Sequence, residues 1–524
     1  MERSIRKKLD RFDRKEAEIT TKRGKMIWSN WHGEGPGNKD LKVAGEELAA
    51  LPRSEDYYKT LRSAMQSAGP KEKREIELRL SEALYNAVMR DPEINAAKEE
   101  VAREIGAFRY VIAGVEMTKD EIVDRWQNED GNFSKAIYRE YLEQSAKLKG
   151  KILGLVMLIN KKSREYGAEL GLDVKTFVDV IMLRNDMVDI IVKSGFERLL
   201  YSTSNISGFL DNIKDAFGLL EINPLNDIMA VNQFYSRMGF WEAFPTGEMS
   251  LGLFKHVLYL SGFGKYFDVT NFGNAPHTLE VTADPANGLG EGALRLAKGH
   301  PEYLALVNPF NSSNPRAFTA AVFHEGGHIL HYDGLDRNDR PDFLKTDTEA
   351  VREGMAMVVE TLLADPYVLH EMSGAQEAEL DNIVLMSRFL DATRMREFVA
   401  GALLEMELYA NPKGAIESAY LKLVEQHSIS GRVSGIPDEA LAGAWAADEL
   451  LVFQPGARIE YAIGYGIVSA VMGSLATVGG GTMVHNDTAR ILHEYCYSGL
   501  EVPWELRIKK LLEDTGIKPK DVMQ

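Results

Sequence analysis

The chain has 524 residues, 45% hydrophobic and 27% charged, which is ordinary for a globular protein. Its 61 basic and 78 acidic residues give a net charge of −17, a balance that repels phosphate and argues against nucleic acid as a partner. The single cysteine, Cys496, excludes an internal disulfide, and the apolar run Ile152 to Ile159 is far too short to span a bilayer.

The first ten residues contain no apolar stretch of the kind a signal peptide needs, so the simplest expectation is a cytoplasmic protein with no membrane partner. Residues 1–28 are charged and amphipathic, and Trp28 and Trp31 precede a glycine-rich loop at 32–38. Helical patterns follow at 41–68, 71–90, 93–111, 118–127 and 133–167; in the last, Ile137, Tyr138, Tyr141, Leu142, Ala146 and Leu148 form a stripe. Further helices are predicted near 173–193, 205–219, 224–237 and 248–261. No repeat and no Pro/Ser/Gly-rich linker divides the chain. The expectation is a mainly α protein, one unit in two lobes: a helical lobe at 1–245 and a second lobe at 246–524.

Only residues 266–309 read as β. Thr278–Thr282 alternates like a strand, 283–288 is a turn cluster, and Leu304–Val307 is a second apolar strand. A small antiparallel sheet is predicted here, just before the next helix. His277 opens its edge strand and is a candidate substrate contact.

The run His324-Glu325-Gly326-Gly327-His328 is the most informative feature of the chain. On a helix, imidazoles four residues apart share a face and can hold one Zn²⁺. Glu325 then projects beside the open coordination position and can take a proton from the attacking water. Ala317–Phe323 and Ile329–His331 continue the helix on both sides, with no proline. His331 lies near the same face, but a catalytic zinc needs an open position, so it is expected in the core or behind a ligand.

A third ligand should come from another element. Residues 346–363 read as a helix, capped by Asp347 or Thr348, with an apolar stripe of Val351, Met355, Val358, Val359 and Leu362. It offers Glu349, Glu353 and Glu360 on one face. Further on, Arg458-Ile-Glu-Tyr461-Ala-Ile-Gly464-Tyr465 places two phenols four residues apart. A phenol donates a hydrogen bond and stays neutral at pH 7, which suits it to an oxyanion. Gly479–Thr482 lacks the lysine of a phosphate loop and reads as a flexible hinge or substrate-facing segment.

With Glu353 lying 25 residues after His328, the pattern resembles the thimet oligopeptidase and oligoendopeptidase F group of zinc peptidases. Angiotensin-converting-enzyme-like dipeptidases and Taq-type carboxypeptidases are related to that group. The resemblance implies that Glu353 is the third ligand and that Glu360, seven residues on, steadies a ligand histidine. The stretch around Tyr461 and Tyr465 is similar to the Tyr-Ala-x-Gly helix of these peptidases, whose tyrosines reach the substrate carbonyl. Their usual preceding histidine is missing from Phe453–Arg458, and Arg458 is a candidate to take its place at the substrate. Residues 494–516 resemble the closing helices of oligoendopeptidase F.

The resemblance implies a two-lobed helical fold with a deep central channel, one Zn²⁺ per chain and short peptides as substrates. Two alternatives stay open. One is a carboxypeptidase, which would use Arg352 or Arg458 for the terminal carboxylate, or a peptidyl-dipeptidase; the other is a catalytically inactive peptide-binding protein, which would have no use for Glu325.

Overall fold

The computed structural model describes the chain except for residues 32–37, 52–53, 113, 119–120, 122–130, 188, 203–243, 246–247, 267, 275–276, 282–291, 296–302, 308–314, 338–346, 374–376, 428–437, 449, 500–501 and 518–524. The helices predicted at 205–219 and 224–237, the turn at 283–288 and nearly all of 118–127 lie outside the described residues.

The chain is mainly α-helical, and local chemistry explains the helix ends. Asp91 accepts from the Glu93 and Ile94 amides ahead of Pro92, at 2.8 and 3.3 Å, and starts Pro92–Ala107. Gly171, at φ +75°, ends Lys149–Leu170. The run 41–68 is two helices, Asn38–Ala50 and Glu55–Ser67. The pattern at 173–193 breaks after Arg184, where Asp186 takes a φ of +57°.

One strand pair was not anticipated. The helix at 93–111 stops at Ala107, and a hairpin follows: β1 (Tyr110–Ile112) antiparallel to β2 (Val115–Met117). Tyr110 and Ile112 point inward while Val111 is exposed, and Gly114 turns the chain at φ +79°. Three alternating residues at the end of a helical run are too few to separate the two periods.

By its contacts the chain groups into two compact units. The first comprises Met1–Ala83, Phe240–Leu385 and Ile463–Gln524, and the second Leu84–Gly239 and Met386–Ala462. In the second unit the β1–β2 hairpin buries Tyr110, Ile112 and Met117 with Ile137, Leu142 and Leu441. In the first unit Arg79 is buried and forks onto Asp13 at 2.6 and 2.8 Å, with Glu75 at 3.0 Å.

The first unit also holds a three-stranded sheet in the order β3 (His277–Val281), β5 (Tyr303–Val307), β4 (Gly292–Arg295). It is mixed. The two strands read from the sequence, β3 and β5, pair parallel, with His277 opposite Tyr303, and β4, a strand not anticipated, runs antiparallel to β5. β3 and β4 run in opposite directions, so the strand between them is parallel to one and antiparallel to the other.

The sheet packs on the helix Pro315–Asp336, called here the histidine helix. Tyr303 ties the two together through its hydroxyl, 2.7 Å from Asp336 Oδ2. Phe318, Val322, Phe323, Ile329, Leu330 and Leu335 are all buried, so this helix is enclosed by the unit. Its main partner is Glu349–Thr361, the glutamate helix, whose N-cap Thr348 accepts from the Val351 amide at 3.4 Å.

Two glycines inside the His324–His328 run are required by this packing. A Cβ on Gly326 would lie 2.4 Å from the Phe254 ring, and one on Gly327 would lie 2.9 Å from Ala356 Cα and 3.1 Å from Ala356 O. The second clash is with backbone, which cannot rotate away. Gly327→Ala is therefore expected to destabilise the protein by about 1–3 kcal/mol, overpacking outweighing the gain in helix propensity. Gly473→Ala, in the helix Ala457–Val478 with nothing within 4 Å of the added carbon, should instead stabilise by about 0.5–1 kcal/mol. Denaturant unfolding of both variants checks the pair of signs.

Candidate metal centre

The histidine and glutamate helices run antiparallel. His324 meets Glu360, Gly327 meets Ala356 and His331 meets Asp347, so residue numbers fall along one helix as they rise along the other. The predicted donors converge at the middle of this pair.

His324 Nε2 lies 3.4 Å from Glu353 Oε2, and His328 Nε2 lies 3.7 Å from Glu353 Oε1. The two imidazole rings meet edge-on, with centroids 4.9 Å apart. Among the described residues, His324, His328 and Glu353 bring one donor atom each to within 4.8 Å of one another. Tetrahedral ligands at zinc–nitrogen and zinc–oxygen distances stand about 3.4 Å from each other, so this donor set fits Zn²⁺.

The electrostatics of the site suit the same purpose. Burial pushes the His328 imidazole down to about 3, which keeps it neutral with a lone pair to give. Burial opposes ionisation of Glu353, but the facing imidazoles of His328 and His324 together with Arg352 outweigh it and lower the carboxyl to about 2. Burial also opposes charge on His324, yet hydrogen bonds to Glu353 and Glu360 raise it well above the ordinary histidine value. Two carboxylates, Glu353 buried and Glu360 partly buried, thus create a field that favours a cation at this spot. Glu360 Oε2 sits 3.1 Å from His324 Nδ1, which leaves Nε2 turned toward Glu353.

Glu325 is buried at 7% exposure on the histidine helix. Glu349 pairs with Arg352 in the first turn of the glutamate helix.

The helix Ala457–Val478 carries the two tyrosines. Residues up to Ala462 belong to the second unit and those from Ile463 to the first. Gly464 packs directly on Gly354: a Cβ on Gly464 would lie 3.2 Å from the Gly354 nitrogen. Tyr465, half-buried, is therefore one residue from a contact with the immediate neighbour of Glu353. Tyr461, in the second unit, stacks on Phe398 with centroids 5.0 Å apart. Arg458 covers the same Phe398 ring at 4.7 Å and donates from Nε to Asp448 at 2.8 Å, with Glu397 at 3.6 Å.

His277 is buried between the rings of Phe272 and Tyr303 and faces Asp333 of the histidine helix at 3.2 Å. That is an interior position holding sheet to helix. The loop at 479–482 is anchored: Asp365, fully buried, accepts from Thr482 Oγ1 at 2.8 Å and from the Met483 and Val484 amides at 2.5 and 3.1 Å. Positive φ at Gly480 and Gly481 gives the tight turn.

His331 is wholly buried and bonds through Nε2 to Asp347 Oδ2 at 3.0 Å, the core position expected of it. Asp347 was read only as a possible helix cap. Its carboxylate instead receives His331 and Arg507, and nothing local in the sequence links residue 507 to this site.

No protein-family model matches the chain, and no curated protein is similar to it in sequence. Solved structures do match. PZ peptidase A with an inhibitor superposes at a TM-score of 0.64 and 13% identity, over 93% of this chain and 85% of that one. A structure assigned to oligoendopeptidase F gives 0.62 and 12%, over 92% and 84%. A protein assigned to oligoendopeptidase F from Bacillus anthracis gives 0.59 and 13%, over 93% and 85%. The chain has the helical fold of the oligoendopeptidase F and PZ peptidase structures.

Proposed function

We propose that the chain is a zinc-dependent peptidase that hydrolyses peptide bonds in short peptides. The observation that carries this is the convergence of His324, His328 and Glu353, with Glu360 behind His324, in a fold shared with peptidases. Zinc at these donors would supply a Lewis acid for the scissile carbonyl and would acidify water.

The remaining steps belong to the chain's own groups. Glu325, one residue from a ligand, accepts the proton of the attacking water and returns it to the leaving amine. Glu360 fixes the ring of His324 through Nδ1. Tyr465 or Tyr461 donates a neutral hydrogen bond to the developing oxyanion. The likeness to oligoendopeptidase F structures favours short peptides as substrates.

Two readings compete less well. A carboxypeptidase needs a cation for the terminal carboxylate, and both candidates are engaged: Arg352 by Glu349, Arg458 by Asp448 and Glu397. A peptide-binding protein without catalysis leaves Glu325 without a purpose. Mass spectrometry of a digested peptide library tests the proposal. Internal cuts support it, single C-terminal losses indicate a carboxypeptidase, and dipeptide losses a peptidyl-dipeptidase. An intact library with zinc-loaded protein would sink the enzyme reading.

Glu325→Gln keeps the shape of the side chain but removes the base. It should retain parent zinc content and lose about 10²–10⁴ in turnover, read by metal analysis alongside hydrolysis of a quenched peptide.

The glutamates separate by zinc affinity, measured in competition with a chelator. Glu353→Ala should lose most binding, Glu360→Ala about 10–100-fold, and Glu349→Ala little. Retention in the first with loss in the last would move the ligand by one helical turn.

Tyr465→Phe and Tyr461→Phe each remove one hydroxyl. A phenol that donates only to the oxyanion should, when lost, lower kcat by about 10²–10³ with KM nearly unchanged. Tyr465 is the stronger candidate, because its neighbour Gly464 packs beside Glu353. Full activity in both single variants and in the double variant would place the stabiliser elsewhere.

A further inference from the structure

All three donors of the candidate metal centre come from two helices, so their geometry depends on how those helices are set against each other. A sliding of one helix by an ångström would spoil it, since metal–ligand distances tolerate only about 0.2 Å. Gly327 against Ala356 fixes the closest approach. Contact at one point still permits pivoting. The His324–Glu360 bond restrains one end of the pair.

The other end is held by Asp347. It immediately precedes Thr348, the N-cap of the glutamate helix, and its side chain is fully buried. Oδ2 receives His331 Nε2 at 3.0 Å from the histidine helix, one turn beyond His328. Arg507, on the helix Trp504–Thr515, closes on the same carboxylate with Nη2 to Oδ1 at 2.5 Å and Nη1 to Oδ2 at 3.1 Å. Nη1 also donates to the Cys496 carbonyl at 2.8 Å, which anchors the guanidinium to a fourth segment. Burial would raise the Asp347 carboxyl, but the Arg507 charge and both hydrogen-bonding partners hold it below the usual carboxylate range.

We propose that Asp347 and Arg507 are positioning residues for the metal centre: they clamp the start of the glutamate helix to His331 and so set Glu353 against His324 and His328. The proposal rests on the metal reading above. Neither residue touches the donor atoms. They act through the placement of a helix, and Arg507 does so from 154 residues beyond Glu353 in the sequence.

The test compares three variants of the full chain by zinc affinity and by thermal unfolding of the metal-free protein. Asp347→Asn keeps the shape but removes the charge, and Arg507→Lys keeps the charge but loses the fork. Leu511→Ala is the control: Leu511 is fully buried on the same helix as Arg507, away from Asp347 in the bonding network. Asp347→Asn and Arg507→Lys should weaken zinc binding by about 10–100-fold, while Leu511→Ala loses thermal stability and stays within about threefold of the parent. Affinity within about threefold of the parent in both clamp variants overturns the proposal. So does a loss of affinity in Leu511→Ala that matches theirs at equal loss of stability. A parent chain that takes up no zinc overturns the metal reading itself, and this one with it.

Discussion

The close antiparallel packing of two helices governs the rest of this structure. Gly327 lets the histidine helix lie on Ala356 and Val359 of the glutamate helix, with no room for a methyl group between them. At that separation a carboxylate on one helix reaches two imidazoles on the other without any loop in between. Sites built on rigid elements hold their geometry better than sites on loops. The elements around the pair, including the mixed sheet on the histidine helix and the helix that brings Gly464 to Gly354, brace that arrangement.

Charge is organised around the same pair. Three carboxylates, Glu353, Glu360 and Asp347, are spread along one helix and its entry, and each faces a histidine of the other. Buried carboxylates are costly unless each has a partner. Here Asp347 has Arg507 as well as His331, so its charge is balanced within the core. Glu353 and Glu360 share His324, an excess of negative charge that a divalent cation would neutralise. The difference between the carboxylates follows: Asp347 is neutralised by an arginine, whereas Glu353 joins His324 and His328 in a group that could hold a metal ion.

Arg458 and Arg352 illustrate how pairing limits function. Either cation, taken alone, suits a substrate carboxylate. Arg458 already faces Asp448 and Glu397 and lies over Phe398, and Arg352 faces Glu349. A substrate carboxylate would have to compete with these existing ion pairs, which weighs against either arginine as its anchor.

The sequence by itself determined what depends on local periodicity. The i, i+4 spacing of His324 and His328 fixes both rings on one helix face, and the cap and apolar stripe at 348–362 fix the second helix, so the helical character and two of the three donors were legible. Choosing among Glu349, Glu353 and Glu360 was not possible from periodicity alone, because all three share a face; resemblance suggested an order, and the antiparallel register of the two helices brings Glu353 to the histidines. The parallel pairing of β3 with β5, the Tyr110–Met117 hairpin, the burial of His277 on Asp333 and the Asp347–His331–Arg507 network belong to the tertiary structure. Each except the hairpin joins residues far apart in the chain, where no local pattern constrains the partner, and the hairpin is too short for its alternation to stand out from the helix before it. What selects such contacts is the requirement that every buried polar group find a partner once the core has closed.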